Sequence, residues 1–277
     1  MKFLIAILAY NQLHDCKAAL ASLKYTAPDA DWLIIDNGSD ENNNYKEWIE
    51  RYIKPPKLLY HRNPENVGVV KGLQQAYELA TDYDIIAFLH NDVYVYEFNW
   101  HKRIASYFAD DNLNIGLASF FGAKGTHLNG ARFDSTTNML EAEIHAGGFR
   151  QAEPYVPISI VDGFSMICSR KMLDDIGGID QDYVIHHGYD RDLPLKSLQA
   201  GYNNIAVNVP CHHISGITAC RPDYQEWINK KLDRPDGDHY CHDNNTIGVF
   251  NEKWADKLPI YIEKDFSFRG GQFKKWR

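Results

Sequence analysis

The sequence predicts an α/β domain built on a mainly parallel sheet with helices on both faces. Two observations carry this expectation. Over the first hundred residues, short apolar runs of strand length alternate with longer stretches whose apolar residues recur at helical spacing. The order of these stretches, strand then helix repeated, implies parallel strands joined by helical crossovers.

Residues 2–9 read as the first strand, and residues 12–24 as a helix with Leu13, Cys16, Ala19, Leu20 and Leu23 on one face. Residues 32–36 are the second strand, followed by a helix over 45–53 that Pro55-Pro56 closes. Leu58-Leu59-Tyr60 is a short strand, 68–81 a helix following Asn63-Pro64-Glu65-Asn66, and 84–89 the next strand. A helix over 97–109 and a strand over 115–120 begin a less regular half. Residues 122–157 lack a strong period and read as loops or short strands. Residues 159–167 read as one strand leading into a helix over 169–176, followed by a helix over 190–200 and a strand over 204–209. Beyond Gly216 the chain is polar, with Asp, Arg and Pro turns and aromatic anchors.

With 277 residues, 44% hydrophobic and 24% charged, the chain suffices for one large domain or two closely joined halves. No apolar run approaches the roughly 18 residues needed to cross a bilayer. The apolar start Met1-Lys2-Phe3-Leu4-Ile5 lacks a basic leader region and runs directly into a helical pattern, so it reads as a buried strand rather than a signal peptide. Five scattered cysteines argue against a disulfide framework and for a reducing cytoplasm. A formal charge of −8 disfavours a nucleic-acid partner. Lys274, Lys275 and Arg277 make a small basic end, solvated or touching anionic lipid or polymer at the inner face of a membrane.

The chemistry-bearing residues gather at strand ends. Asp92 follows the apolar run Ile85–Leu89, and Asp36 follows Leu33-Ile34-Ile35. In open α/β sheets the ligand crevice lies at these carboxyl ends. A carboxylate there can hold a divalent cation against the phosphates of a nucleotide. A later patch, Gly188-Tyr189-Asp190-Arg191-Asp192, adds two carboxylates. Together these sites point to an enzyme that handles a sugar nucleotide.

Seven segments in order resemble a family 2 glycosyltransferase. They are Ala6–Asn11, Ile35–Asp40, Asn63–Gly68, Leu89–Val93, then Asp162–Met166 with Arg170 and Gly177–Asp180, Tyr189–Leu193, and His213–Gly216. The likeness spans roughly residues 3–216 and is nearest a rhamnosyltransferase-like branch. It implies the GT-A fold, a Rossmann-like mainly parallel sheet flanked by helices, and inverting transfer from a nucleoside diphosphate sugar with Mn²⁺ or Mg²⁺. The expected division is a glycosyltransferase domain over 1–220, comprising a nucleotide-sugar half (1–96) and an acceptor-side half (97–220), with an irregular extension over 221–277 packed on it. Three positions depart from the family pattern: His90 stands where Asp or Asn is common, Tyr189 where Glu is usual, and Lys196 where Arg is common.

The resemblance makes Asp92 a metal ligand, with His213 or its neighbour His212 completing the shell, since imidazole suits Mn²⁺ better than Mg²⁺. Adjacent residues on an extended chain point to opposite sides, so only one of the two histidines can serve. Asp190 is the candidate general base, its pKa raised by partial burial and nearby Asp192; the plainer reading is a helix cap. Asp36 can accept from the ring N–H of a uracil or thymine, or form an Asx-turn in Asp-Asn-Gly-Ser. Tyr10, Asn11, Asn66, Lys71 and Asn91 are further nucleotide contacts, with Lys71 alternatively a solvated helix residue. Asp162, Gly163 and Asp192 fall on the acceptor side, Asp192 with a supporting role. The acceptor would be a hydroxyl of a glycan, a lipid-linked sugar or another polymer.

Rival readings are weaker. A nucleotidyltransferase would want a Gly-rich phosphate loop after the first strand, and Tyr10-Asn11-Gln12-Leu13-His14 is not one. A non-catalytic sugar-nucleotide or glycan-binding module would not need both Asp92 and Asp190. Cys211, His212, His213, Cys220, Cys241 and His242 lack the paired C-x₂-C spacing of a zinc site. Trp227, Trp254 and Trp276 read as core anchors or sugar-stacking platforms.

Overall fold

A computed structural model describes residues 1–138, 149–183, 185, 187–214, 221–233 and 244–269. Its main sheet has eight strands. Four parallel strands form one side: β1 (Phe3–Ala9), β2 (Asp31–Asp36), β3 (Leu58–Arg62) and β4 (Ile85–His90). β2 and β3 lie on one flank of β1, and β4 pairs with its other flank. The strand order therefore reverses between β1 and β4, the switch point at which open sheets leave a crevice beyond their carboxyl ends.

Past β4 the sheet continues through β12 (Ser165–Ser169), β6 (Ile115–Ser119), β13 (Asn203–Val207) and β10 (Tyr155–Pro157). β12 runs antiparallel to both β4 and β6, and β10 antiparallel to β13. The first strands are apolar throughout because the alternating side chains of each face meet a different core. Leu4, Ala6, Leu33, Ile35, Ile86 and Phe88 join the cluster containing Val70, Leu73, Leu193 and Trp254. Phe3, Ile5, Ile7, Trp32, Ile34 and Leu89 join the cluster containing Leu20, Leu23, Tyr45 and Trp100. Full burial of each large apolar side chain contributes roughly 1.5–3 kcal/mol, so both layers hold the sheet in place.

The helices follow the expected order, with shifted ends: Leu13–Thr26, Val69–Leu79, Trp100–Phe108, Arg170–Ile176 and Tyr189–Gln199. The helix expected over 45–53 is α-helical over Tyr45–Trp48 and widens to π geometry over Ile49–Ile53. The helix expected from residue 97 begins at Trp100, because Asn99 takes a left-handed conformation (φ 62).

One expectation is corrected. Residues 159–167 are not a single strand: β11 (Ile160–Val161) pairs with β7 (Phe121–Thr126), whereas β12 begins at Ser165 in the main sheet. Asp162, Gly163 and Phe164 carry the chain between the two sheets. Periodicity cannot reveal this break, since both pieces are apolar and buried. The second sheet runs β16 (Phe268–Arg269), β15 (Ile260–Ile262), β7, β8 (Arg132–Thr137) and β9 (Phe149–Arg150). A two-stranded ribbon pairs β5 (Val93–Val95) with β14 (Cys211–His213).

Candidate active site

Tertiary pairing assembles the centre of the site. β4 delivers His90 at its carboxyl end, and Asp92 occupies the turn into β5. The β5–β14 ribbon sets His213 opposite Val93, which returns a side chain 123 positions from His90 to the same point. His90 Nδ1 and His213 Nε2 are 3.2 Å apart, and that Nε2 lies 3.3 Å from Asp92 Oδ1. The Phe164 ring stacks on the His213 imidazole at 4.7 Å and holds its orientation. Burial pushes the His90 imidazole down to about 4, with His213 adding to the effect, so the neutral ring offers one lone pair at neutral pH. For Asp92, burial favours the protonated acid, but the adjacent His213 and His90 outweigh it and hold the carboxyl below its ordinary range.

These residues fit a divalent cation. One ligand atom from each of His90, Asp92 and His213 lies within 4.8 Å of the other two. Asp92 Oδ1 is buried and makes no hydrogen bond, despite its proximity to His213. An orphaned buried carboxylate oxygen is costly unless something else satisfies it. His212 is excluded from this cluster by strand geometry: it faces the opposite way and lies against Tyr94, ring centroids 5.7 Å apart. His90, whose departure from the family pattern counted against it, sits inside the cluster. For the zinc alternative, Cys211 is a free buried thiol, and Cys220, Cys241 and His242 lie outside the described residues.

The residues expected to contact a nucleotide lie in or beside an interlocked amide network at the ends of β1, β2 and β3. Asn11 adopts a left-handed conformation (φ 51), and its Oδ1 accepts from the Asp40 N–H at 2.7 Å. Asn66 Oδ1 accepts from Asn37 Nδ2 and Gly68 N–H, at 2.8 and 2.9 Å. Tyr45 Oη donates to the Asn11 carbonyl and accepts from Asn91 Nδ2, which ties the end of β1 to the metal loop. Asp36 is completely buried. Its Oδ1 accepts from Ser39 N–H, the expected Asx-turn, and its Oδ2 accepts from Tyr60 Oη and Arg62 Nη1. Tyr10 packs against Tyr224, ring centroids 6.1 Å apart, in a small cluster with Ile185, Ile228 and Trp227. Lys71 is exposed on the first turn of its helix. Asn37 and Asn63, within two of the resembling segments, complete this network with Tyr60 and Arg62, which sequence reasoning did not single out as contacts.

Asp162 lies in electrostatic reach of His90 and His213 and of the candidate base Asp190. Its Oδ2 accepts from Arg132 Nη1 at 2.9 Å. Burial favours its protonated form, but Arg132, His213 and His90 together hold the carboxyl below its ordinary value. Arg132 reaches Asp162 from the β7–β8 hairpin, a residue that sequence reasoning missed within the irregular stretch 122–157.

Asp190 lies in the first turn of helix Tyr189–Gln199, after Gly188 turns the chain with φ 82. The helix cap is Gly188, so Asp190 does not fill that role. Among the described residues, no side chain donates a hydrogen bond to its carboxylate. Burial pushes the Asp190 carboxyl up, the Asp162 charge adds to this, and Arg191 and Arg132 oppose it. The like charge that raises it is therefore Asp162 rather than the expected Asp192. Asp192 turns inward, almost fully buried, and Oδ1 accepts from Trp254 Nε1 at 2.8 Å and Tyr183 Oη at 3.2 Å. Lys196 Nζ lies 3.5 Å from Asp192 Oδ2. Asp192 thus braces the helix from behind and is too enclosed to touch an acceptor. Trp254 is a core anchor, Trp227 stacks on Tyr224 at 5.5 Å, and Trp276 lies outside the described residues, as do Lys274, Lys275 and Arg277.

Gly163 is required by close approach. A Cβ there would stand 2.4 Å from Tyr189 Oη and 3.0 Å from Cζ. Tyr189 is buried and immediately precedes Asp190, so the room for a Cβ must come from a packed ring at the start of the helix. Gly163→Ala is expected to cost about 1–3 kcal/mol by overpacking. Thermal unfolding and product formation should both register it; a variant with wild-type Tm and rate would show that the helix start can yield.

Comparison with known proteins places the family and the fold. A family model described as glycosyl transferase family 2 matches residues 4–177. A pre-mycofactocin glycosyltransferase of Mycobacterium tuberculosis is 22% identical over 205 residues, which are 72% of this chain and 39% of that protein. The chain therefore spans about two-fifths of the length of this curated relative. Among solved structures, GalNAc-T7 with UDP, GalNAc and Mn²⁺ superposes with TM-score 0.59 at 15% identity, covering 76% of this chain and 43% of that one. The mannosyltransferase PcManGT of Pyrobaculum calidifontis, with GDP-Man and Mn²⁺, gives TM-score 0.51 at 14% identity, covering 92% and 69%. The shared architecture is the GT-A fold. With the family model matching more than half of its 277 residues, the chain belongs to glycosyl transferase family 2.

Proposed function

We propose that this chain transfers a sugar from a nucleoside diphosphate donor to an acceptor hydroxyl, with inversion at the anomeric carbon and with the help of a divalent cation. The observation that carries the reading is one juxtaposition. One ligand atom from each of His90, Asp92 and His213 lies within 4.8 Å of the other two, at the carboxyl end of β4 where the open sheet leaves its crevice. His90, Asp92 and His213 would hold Mn²⁺ or Mg²⁺, which when bound neutralises charge on the departing diphosphate. The asparagine network with Tyr10 and Asp36 would seat the nucleoside. Asp190 would take the proton from the acceptor hydroxyl as its oxygen bonds to the anomeric carbon and the bond to the diphosphate breaks. Asp162 and Gly163 would line the acceptor side.

The acceptor is a hydroxyl of a glycan, a lipid-linked sugar or another polymer. No helix among the described residues is long and apolar enough to cross a membrane. The reaction would run in the cytoplasm, at the membrane face for a lipid-linked acceptor.

The test is a panel of UDP-, dTDP- and GDP-sugars with Mn²⁺ and oligosaccharide or lipid-linked acceptors, with diphosphate release and product anomer read together. An inverted glycoside from at least one donor is expected; a product of retained configuration would overturn the mechanism. Within that panel, the Asp36 carboxylate is expected to favour uridine and thymidine diphosphates by accepting from the pyrimidine N3–H, which requires the Tyr60 and Arg62 side chains that now cover it to part. Calorimetry showing tighter binding of GDP than of UDP and dTDP would refute this role and leave Asp36 as a turn residue.

A further inference from the structure

We infer that Arg132 and Arg191 form an anion-binding subsite beside Asp190, and that the acceptor therefore carries a carboxylate or a phosphate near its reacting hydroxyl. The inference rests on the transferase reading above and deepens it by naming the chemical class of acceptor.

Two cations converge on the candidate base from different elements. Arg132 opens β8, and its Nη1 donates to Asp162 Oδ2 at 2.9 Å. Its guanidinium lies over the Phe121 ring, 5.0 Å from the centroid. Arg191 follows Asp190 in the first turn of helix Tyr189–Gln199. Helical side chains lean toward the N-terminus, so this one reaches over the start of the helix, where Asp190 stands. The β7–β8 hairpin covers its stem: a Cβ on Gly130 would stand 3.3 Å from Arg191 Cδ. Both guanidinium charges favour the ionised form of Asp190, whereas the charges acting most on Asp92 are those of His213 and His90. The pair thus lies toward the base and away from the cluster that would hold the diphosphate.

Arg132 has a carboxylate partner; Arg191 has none. Arg191 is half-buried, and its side chain makes no hydrogen bond or ion pair among the described residues. Asp192, in the same turn, is already taken by Trp254, Tyr183 and Lys196. A cation in a first turn opposes the helix dipole, a mismatch that a bound anion would relieve. Asp162 occupies only one N–H edge of Arg132, so the anion would take remaining donors of Arg132 together with those of Arg191. A planar guanidinium fork suits carboxylate and phosphate alike, with paired N–H groups meeting paired oxygens. An acceptor anchored in this way would have its orientation fixed, with the hydroxyl presented to Asp190.

The experiment is calorimetric titration of the full chain with three sugars that differ only at the exocyclic carbon: methyl glucoside, methyl glucuronide and methyl glucoside 6-phosphate. At least one anion is expected to bind roughly 10–100-fold more tightly than the neutral glucoside, the worth of hydrogen bonds to a charged group. Which one does so separates carboxylate from phosphate recognition. Arg191→Gln, which removes no side-chain hydrogen bond among the described residues, should erase most of this preference. Arg132→Gln should weaken it, and the affinity of both variants for UDP with Mn²⁺ should match wild type. Equal affinity for all three sugars, or binding of none, would overturn the inference, as would a preference that survives in both variants. Loss of UDP affinity in Arg191→Gln would give this cation to the donor diphosphate and overturn the subsite. Transfer to neutral acceptors as fast as to anionic ones would overturn the inference and leave the transferase reading standing. An anion preference that both variants lose, with no transfer from any donor, would sustain the subsite and overturn the transferase reading.

Discussion

Asp190→Asn is expected to lower kcat by about 10²–10⁴-fold, the usual contribution of a general base, while donor affinity stays near wild type. The substitution keeps the shape of the side chain and breaks no side-chain hydrogen bond among the described residues. Its pH signature is specific. Burial, then the Asp162 charge, favours the protonated acid, so Asp190 titrates above an ordinary carboxyl. The wild-type rate should therefore fall as pH drops through that raised value, and the residual rate of the variant should lose this acid limb. Stability should move the other way. A carboxyl with a raised pKa in the folded chain contributes stability below its unfolded pKa and loses it as pH rises through the folded value. The asparagine escapes that loss, so the variant should unfold at a higher temperature than wild type near pH 7.5. A variant that loses donor affinity with its chemical step intact would move Asp190 into the nucleotide site.

Asp92→Asn is expected to be at least as damaging to turnover. Its Oδ1 makes no internal hydrogen bond, so an amide there should preserve folding. The amide oxygen is a poorer ligand without the negative charge, and the loss should appear in cation and diphosphate binding together. Stabilisation of a leaving diphosphate by a cation is worth several kcal/mol, which corresponds to about 10³-fold or more in rate at 1.36 kcal/mol per tenfold. EDTA should silence the wild type to a similar extent, and Mn²⁺ should restore it. Wild-type activity that survives EDTA, with a variant of equal rate, would remove the cation from the reaction and leave Asp92 a turn residue.

The strand–helix alternation of the first hundred residues is legible in sequence because each element's period is local. The polar residues after β1, β2 and β4 stand out for the same reason: they interrupt apolar runs, and chain direction places them at one edge of the sheet. Asp36 and Asp92 are visible on those grounds alone, whereas Asp190 stands out through the acidic patch 188–192 and its resemblance to the family segment. Which atoms meet is a different matter, since it depends on contacts between distant segments and on the side to which each residue points. The β5–β14 ribbon selects His213 over His212 and brings it to His90, a meeting that no local pattern encodes. The β7–β8 hairpin carries Arg132 to Asp162, and Trp254 draws Asp192 inward, away from the neighbour two residues earlier in the same helix. Sequence order by itself determined the first parallel strands and the edge at which the candidate residues lie; long-range strand pairing and the burial of particular side-chain faces decided which of them meet in the candidate site.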